Sequence, residues 1–308
     1  MLNRFFEDNE FTRKAVAIAD RVAMSRPPAI RKFDQIYMMS GDMLTQADLM
    51  KDYLKDRKIL FLGDGDGMSM LFGLLALEKL MEPPVSLTVL DFDKRILQNI
   101  QSFGSSNTFK KVLALSTHAY NVIDPIPMKL RNRFDFFYIN PPYGSKNEGD
   151  STVAWLHRCM DLCTYSCSGC IVIPYNHKWE WSRTAMHHIQ DFLIKNGFVI
   201  RDMVSDLHQY HLADNPLLPS ATIVVDRVAP ADSIHFGKTL PRDFIVRLYG
   251  TPRAIPHYIE FDTAAYDLAK PDYDWEFGEE GWWDEGQSRL NLPRVSPATY
   301  GRNDGAAD

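Results

Sequence analysis

The stretch Ile59-Leu60-Phe61-Leu62-Gly63-Asp64-Gly65-Asp66-Gly67 decides the fold. Its unbroken apolar run reads as a parallel strand buried on both faces. The abrupt change to glycines and acids is how such a strand delivers its C-terminal end to a ligand crevice. The glycines let the chain turn sharply and let a ligand approach the backbone. A helix expected over 68–80 then presents its free N–H groups there. Phosphate is the usual ligand of such a loop, but Asp64 and Asp66 repel it and favour a cationic or hydroxyl-bearing one.

Two further strands repeat the pattern. Leu87-Thr88-Val89-Leu90-Asp91-Phe92-Asp93 ends in acids about 25 residues beyond the loop, where a carboxylate can accept both hydroxyls of a ribose. Asp91 or Asp93 is the candidate, although Asp93 could instead cap the helix starting at Lys94. Phe134-Asp135-Phe136-Phe137-Tyr138-Ile139 runs into Asn140-Pro141-Pro142-Tyr143-Gly144. The prolines fix the backbone so that Asn140 and the adjoining carbonyl point at one spot. Two acceptors there can aim the lone pair of an amine at an electrophilic carbon. Tyr143 offers a face to a planar base or a cation. The plain alternative is a Pro-Pro turn with a capping Asn.

Glycine loop, acid after the next strand, then Asn-Pro-Pro-Tyr is the order used by enzymes that transfer a group from an S-adenosyl sulfonium to a nitrogen. The chain therefore reads as an enzyme. Gly63, Asp64, Gly65, Asp66, Asp91 and Asp93 are expected on the donor, with Asn140, Pro141, Tyr143 and Asp66 at the reacting nitrogen.

Periodicity supplies the surroundings. Residues 1–25 read as a helix stopped by Pro27-Pro28, and a second helix spans 45–55 with Thr45 as its N-cap. Strands are expected over 58–62, 85–90, 111–115, 134–139 and 171–174, alternating with helices over 68–80, 94–102, 151–165 and 182–196. Gly197 ends the last helix in the left-handed conformation. Segments 198–204 and 221–228 form a hairpin-like pair. This alternation predicts an α/β fold with a doubly wound, mainly parallel Rossmann-like sheet. The expected units are a helical segment 1–56, a catalytic domain 57–229 and an irregular extension 230–308. In the extension, 244–249 could form one more strand. Residues 272–285 hold seven acids and no base, with five aromatics. They read either as a solvated tail packing its aromatics on the domain or as an anionic, aromatic lid for a polycation.

A chain of 308 residues, 45% hydrophobic, can bury one large core and a smaller appendage. No run approaches the roughly eighteen apolar residues that span a bilayer, and the first residues carry acids where a signal peptide needs an apolar run. A cytoplasmic location without membrane association is expected. The net charge of −6 counts against non-specific nucleic-acid binding and suits a cationic substrate. The four cysteines, Cys159, Cys163, Cys167 and Cys170, fall within twelve residues, and the last three have iron–sulfur spacing. Cys170 runs straight into a strand and leaves little loop to wrap a cluster. Cys159 and Cys163 are expected one turn apart on a helix, as buried free thiols. No metal is expected, with a zinc or iron–sulfur site as the alternative.

In its motifs and their order, the chain resembles the N4-bis(aminopropyl)spermidine synthase family, the branched-chain polyamine synthases. Phe33-Asp34-Gln35 resembles the family's Tyr-Asp-Gln. Gly63-Asp64-Gly65-Asp66 resembles its Gly-Asp-x-Asp, and Leu90-Asp91-Phe92-Asp93 its Val-Asp-Ile-Asp. Pro125-Ile126-Pro127 and Phe134-Asp135 precede Asn140-Pro141-Pro142, where the family has Asp-Pro-Pro. Gly197 to Asp202 and Asp206-Leu207-His208-Gln209-Tyr210 resemble a late strand and the Phe-Asn-x-Tyr after it. The similarity covers roughly residues 33–228. The resemblance implies a class I S-adenosylmethionine-dependent transferase fold and aminopropyl transfer from decarboxylated S-adenosylmethionine to a polyamine.

Three departures stand out. The winged-helix region expected before the catalytic domain is not found in the residues ahead of Phe33. Asn140 stands in place of the family acid, and Tyr143-Gly144 in place of an acid and Thr. The last two resemble the Asn-Pro-Pro-Tyr of N6-adenine methyltransferases, as does Phe61-x-Gly63-x-Gly65. The alternative reading is therefore methyl transfer from S-adenosylmethionine to adenine in nucleic acid, and a second is an inactive nucleoside-binding regulator. A homo-oligomer stays open.

Overall fold

The computed structural model describes residues 10–30, 33–142, 147–210, 218–230, 238–241, 245 and 248. In chain order the elements are α1 (Glu10–Ser25), α2 (Ser40–Leu54), β1 (Lys58–Leu62), α3 (Met68–Leu77), β2 (Ser86–Asp91), α4 (Lys94–Gly104) and α5 (Asn107–Val112). Then come β3 (Ala114–Ala119), a short 3-10 turn (Met128–Leu130), β4 (Phe134–Ile139), α6 (Asp150–Leu162), β5 (Cys163–Pro174), α7 (Glu180–Lys195), β6 (Phe198–Tyr210) and β7 (Leu218–Arg227). The seven strands lie in the order β3-β2-β1-β4-β5-β7-β6. All neighbours are parallel except β7, which runs antiparallel to both β5 and β6.

Strand parity builds two cores. Leu60, Leu62, Phe137, Ile139, Ile171 and Ile173 pack on one face with residues of α6 and α7, among them Leu156 and Ile189. Their alternate neighbours Ile59, Phe61, Phe136, Tyr138, Cys170 and Val172 pack on the other, against α1 to α4. Because successive side chains point to opposite faces, a strand covered on both sides needs apolar residues at every position. That is why the central strands read as continuous runs. The order reverses between β1 and β4, so the crevice for a ligand opens there, at the C-terminal ends of the strands.

Several boundaries differ from the sequence expectation. Helix α2 begins at Ser40, so Thr45 is inside it, its hydroxyl bonded to the Gly41 carbonyl. Lys111 and Val112 end the helix α5, capped by Ser106, and β3 starts only at Ala114. Helix α3 stops at Leu77, short of 80, and Lys79 is left-handed with φ of 59°. β6 continues to Tyr210 because two irregularities keep it paired with β7. At Ile245 and Leu248, the described residues of 244–249, the backbone bonds reach back four and three residues, which is a helical turn and not a strand. Both are buried in the first core with Leu240. The acidic stretch 272–285 and Tyr143 lie outside the described residues.

The cysteines are rearranged most. Cys163 opens β5 rather than extending α6, and the register slips beyond it, Phe134 facing Cys163 but Phe136 facing Ser168. Cys159, Cys163 and Cys167 belong to the first core and Cys170 to the second, on the opposite face of the sheet. The spacing C-x3-C-x2-C therefore does not converge, since residues three apart on a strand point apart. All four are buried free thiols. No group of His, Cys, Asp and Glu among the described residues is arranged to hold a metal ion. No helix there is long and apolar enough to cross a membrane.

Candidate active site

The glycine loop is held as an extension of the sheet. Gly63 donates to the Leu90 carbonyl across 2.8 Å. With φ of 82° at Gly63 and 75° at Gly67, the loop turns through backbone that other residues rarely adopt. At Gly65 a Cβ would lie 2.9 Å from Cε1 of Tyr37, so a side chain there would displace that ring.

The acids divide their work. Asp64 accepts from the backbone N–H of Met68 at 2.8 Å and of Ser69 at 3.1 Å, and from the Ser69 hydroxyl, so its carboxylate caps α3. Asp91 accepts from the N–H of Asp64 at 3.0 Å and of Asp93 at 2.8 Å, tying the two loops together. Asp93 caps α4 through the Arg95 N–H, grips the Arg95 guanidinium and accepts from Gln35. It is fully buried and does not line the cleft, so of the two ribose candidates only Asp91 borders it.

Asp66 connects three segments. Its Oδ1 accepts from the Met38 N–H at 2.6 Å, and its Oδ2 from Asn140 Nδ2 at 2.8 Å. The Arg26 guanidinium approaches to 4.0 Å and also donates to the Met38 carbonyl. Asn140 gives its second amide hydrogen to the Tyr210 hydroxyl, 3.2 Å away. Tyr210 in turn sits at the end of a strand anchored by a buried network. Gln46 Oε1 accepts from His208 and Thr222, both at 2.8 Å, while its amide donates to Cys170, and the other ring nitrogen of His208 meets Ser220. Burial lowers His208 to about 3, so its ring is neutral.

These groups surround a cleft of about 780 Å³, counted to its open mouth. Gly63, Asp64, Gly65, Asp66, Asp91 and Asn140 line it, as does Asp34. Pro141 instead borders a smaller adjoining cavity of about 250 Å³ with Asp34, Ile36, Asn140 and Tyr210. Asn140, Asp34 and Ile36 thus stand where the two spaces meet. Trp155 from α6 and Asn121 beyond β3 close the far side of the cleft, the Trp ring N–H bonded to the Leu62 carbonyl. The loop beyond β3 is held by the buried Arg158, which donates to the carbonyls of Val122, Ile123 and Lys238.

The electrostatics are one-sided. No Lys, Arg or His is among the described residues lining the cleft, whereas four Asp are. Burial raises Asp64 to about 8 and Asp91 to about 7, and raises Asp66 as well. Carboxylates so raised stabilise an incoming cation and are returned to their charged form by it.

Tyr210, Tyr37, Tyr138, Gln35 and Trp155 were not among the residues singled out from the sequence for this site. Each comes from a segment whose local pattern reports core or loop. The nearest signals are Phe33-Asp34-Gln35 and Asp206 to Tyr210, which carry a resemblance but no chemistry of their own.

Comparison with known proteins adds to this geometry. The family model of the branched-chain polyamine synthase A C-terminal domain matches residues 14–247. An uncharacterised protein of Methanocaldococcus jannaschii is 27% identical over 243 residues, covering 78% of this chain and 55% of the other. The chain thus spans about half the length of that curated relative. Among solved structures, the C9 mutein of the Thermus thermophilus branched-chain polyamine synthase, in complex with N4-aminopropylspermidine and 5′-methylthioadenosine, superposes with a TM-score of 0.61. Identity is 24%, covering 75% of this chain and 68% of that one. A Pyrococcus horikoshii protein provisionally described as an RNA methyltransferase gives a TM-score of 0.50 at 14% identity, covering 70% and 100%. The fold is that of class I S-adenosylmethionine-dependent methyltransferases.

Proposed function

The chain belongs to the family of the branched-chain polyamine synthase A C-terminal domain, and on that premise we propose that it transfers an aminopropyl group from decarboxylated S-adenosylmethionine to a polyamine nitrogen. The observation that carries this reading is the lining of the cleft: four aspartates and, among the described residues, no basic side chain. The intact donor has a carboxylate that would face those acids with no basic side chain among the described lining residues to offset them. The decarboxylated donor bears only the sulfonium and a terminal ammonium, and both are attracted.

In this reading Asp91 accepts the ribose hydroxyls with the lone pairs its loop contacts leave over, and Phe92 beside it offers a face to the adenine. The acceptor amine enters the smaller cavity, where Asp34 attracts its charge. Asn140, at the junction, aims the nucleophilic nitrogen at the carbon next to sulfur, which is catalysis by orientation. The nitrogen lone pair forms the new C–N bond as the C–S bond breaks, and sulfur keeps that electron pair as a neutral thioether. Asp66, raised by burial and adjacent to Asn140, is the base within reach of the released proton.

A second reading, methyl transfer to adenine, is favoured by one observation. Asn140 presents a neutral amide acceptor, which is what an uncharged exocyclic amine requires. Calorimetry with each donor separates the two. Preference for the decarboxylated form supports aminopropyl transfer, and preference for the intact donor supports methyl transfer. Binding of neither would leave a regulatory relative without donor chemistry.

A further inference from the structure

Resting on the aminopropyl-transfer reading, we propose that this chain uses primary and secondary amines as acceptors and disfavours a tertiary amine by about tenfold or more, so that quaternary ammonium is at most a minor product. The argument turns on which atom Asn140 presents. A carboxylate only accepts hydrogen bonds, so the amide end facing Asp66 Oδ2 at 2.8 Å is Nδ2. The second hydrogen of that nitrogen goes to Tyr210 at 3.2 Å. Both donors are thereby used inside the protein. Oδ1 is the remaining polar atom of the side chain, and it can only accept. It stands on a residue bordering both the donor cleft and the smaller cavity.

An amide oxygen carries no net charge and holds a nucleophile mainly through the nucleophile's own N–H. The charge of the nearby Asp66 is already engaged by the Met38 N–H, the Asn140 amide and, at 4.0 Å, the Arg26 guanidinium. For a secondary amine the arrangement is complete. The N–H bonds to Oδ1, the lone pair attacks the carbon attached to sulfur, C–N forms, and C–S breaks with its electron pair going to sulfur. The nitrogen becomes a protonated tertiary amine and then gives up its proton. The neutral product has a lone pair but no N–H, so Oδ1 no longer orients it. The protonated product has an N–H but no lone pair. Asp34, which borders the same cavity, attracts positive charge but, with no N–H on a tertiary amine to hold, does not aim its lone pair, so a further transfer loses the orientation that Oδ1 gives the secondary amine.

The test is a product analysis of the intact chain with excess decarboxylated S-adenosylmethionine. Spermidine is offered in one reaction and N4-aminopropylspermidine, a tertiary amine at the branch nitrogen, in another. Mass spectrometry with fragmentation identifies the substituted nitrogen. Spermidine should yield secondary- or tertiary-amine products, and quaternary product from either acceptor should form about tenfold more slowly or less, the consequence of losing one hydrogen bond to the reacting centre. Quaternary ammonium formed at a comparable rate overturns this inference and leaves aminopropyl transfer standing. No aminopropylated product from any acceptor overturns the aminopropyl reading itself, and this inference with it.

Discussion

The side-chain amide of Asn140 donates to the carboxylate of Asp66 across 2.8 Å, joining the tip of β4 to the glycine loop after β1. The two residues lie 74 positions apart in the chain. Their bond determines which end of the amide faces the ligand, so it is the relationship from which the site can be tested most directly.

Asn140→Ala should leave donor affinity within about threefold of wild type while turnover falls about 100-fold, because what is lost is the orientation of the acceptor. Asn140→Asp places two carboxyls in hydrogen-bond contact. They cannot both ionise there, so they share a proton. Activity of that variant should fall at alkaline pH, where the wild type holds its rate. A pH–rate profile of both proteins checks this, and superimposable profiles would contradict the shared-proton geometry.

Asp91 and Asp93 should separate. Asp91→Asn should weaken nucleoside binding about tenfold or more, the effect of weakening hydrogen bonds to a charged group. Asp93→Ala should act through the fold, because it strips the cap of α4 and takes the carboxylate partner from the buried Arg95 guanidinium. A loss of about 3 kcal/mol is expected in urea unfolding. Titration calorimetry beside urea melts would expose the reverse assignment.

The stability contributed by Asp64 and Asp91 should fall as pH rises. Asp64 and Asp91 reach about 8 and about 7 in the folded chain, above their unfolded values near 4. Between those limits the folded state binds more protons than the unfolded one. Their contribution is therefore full below about pH 4 and lost as pH rises through about 7 to 8. A cationic donor favours the ionised acids, so its upward shift in melting temperature should grow across the same window. Thermal melts of Asp64→Asn, with and without donor, should show a flatter dependence than wild type.

The network around Gln46 should prove costly to break. Gln46→Leu leaves His208 and Thr222 without their acceptor in a buried site, and about 2–4 kcal/mol of destabilisation is expected. His208, depressed to about 3 in the folded protein, contributes stability above its unfolded value of about 6.5 and loses it as pH falls below that. Urea melts near neutral and mildly acidic pH would show both effects, and His208→Gln should remove the acidic loss.

Elemental analysis tests the cysteine assignment. Cys163, Cys167 and Cys170 do not converge on one face, so anaerobically purified protein should carry neither zinc nor iron in stoichiometric amount. Near-stoichiometric metal would show that these thiols rearrange to bind it.

What the sequence by itself determined was the alternation of strands and helices, the two-sided burial of the central strands and the placing of Gly63, Asp91 and Asn140 at strand ends. These are properties of short segments, legible because periodicity and the residue types at a strand end act over a few positions. Only the tertiary structure decided which acid does what. Asp64, Asp91 and Asp93 look alike in one dimension, but two of them spend their carboxylates capping helices and one bridges two loops. Strand parity and a register slip took Cys170 away from Cys163 and Cys167. Tyr210 met Asn140 because β7 runs back between β5 and β6 and carries the end of β6 over the site. Contacts between segments 70 or more residues apart depend on strand order and register, and no local pattern records either.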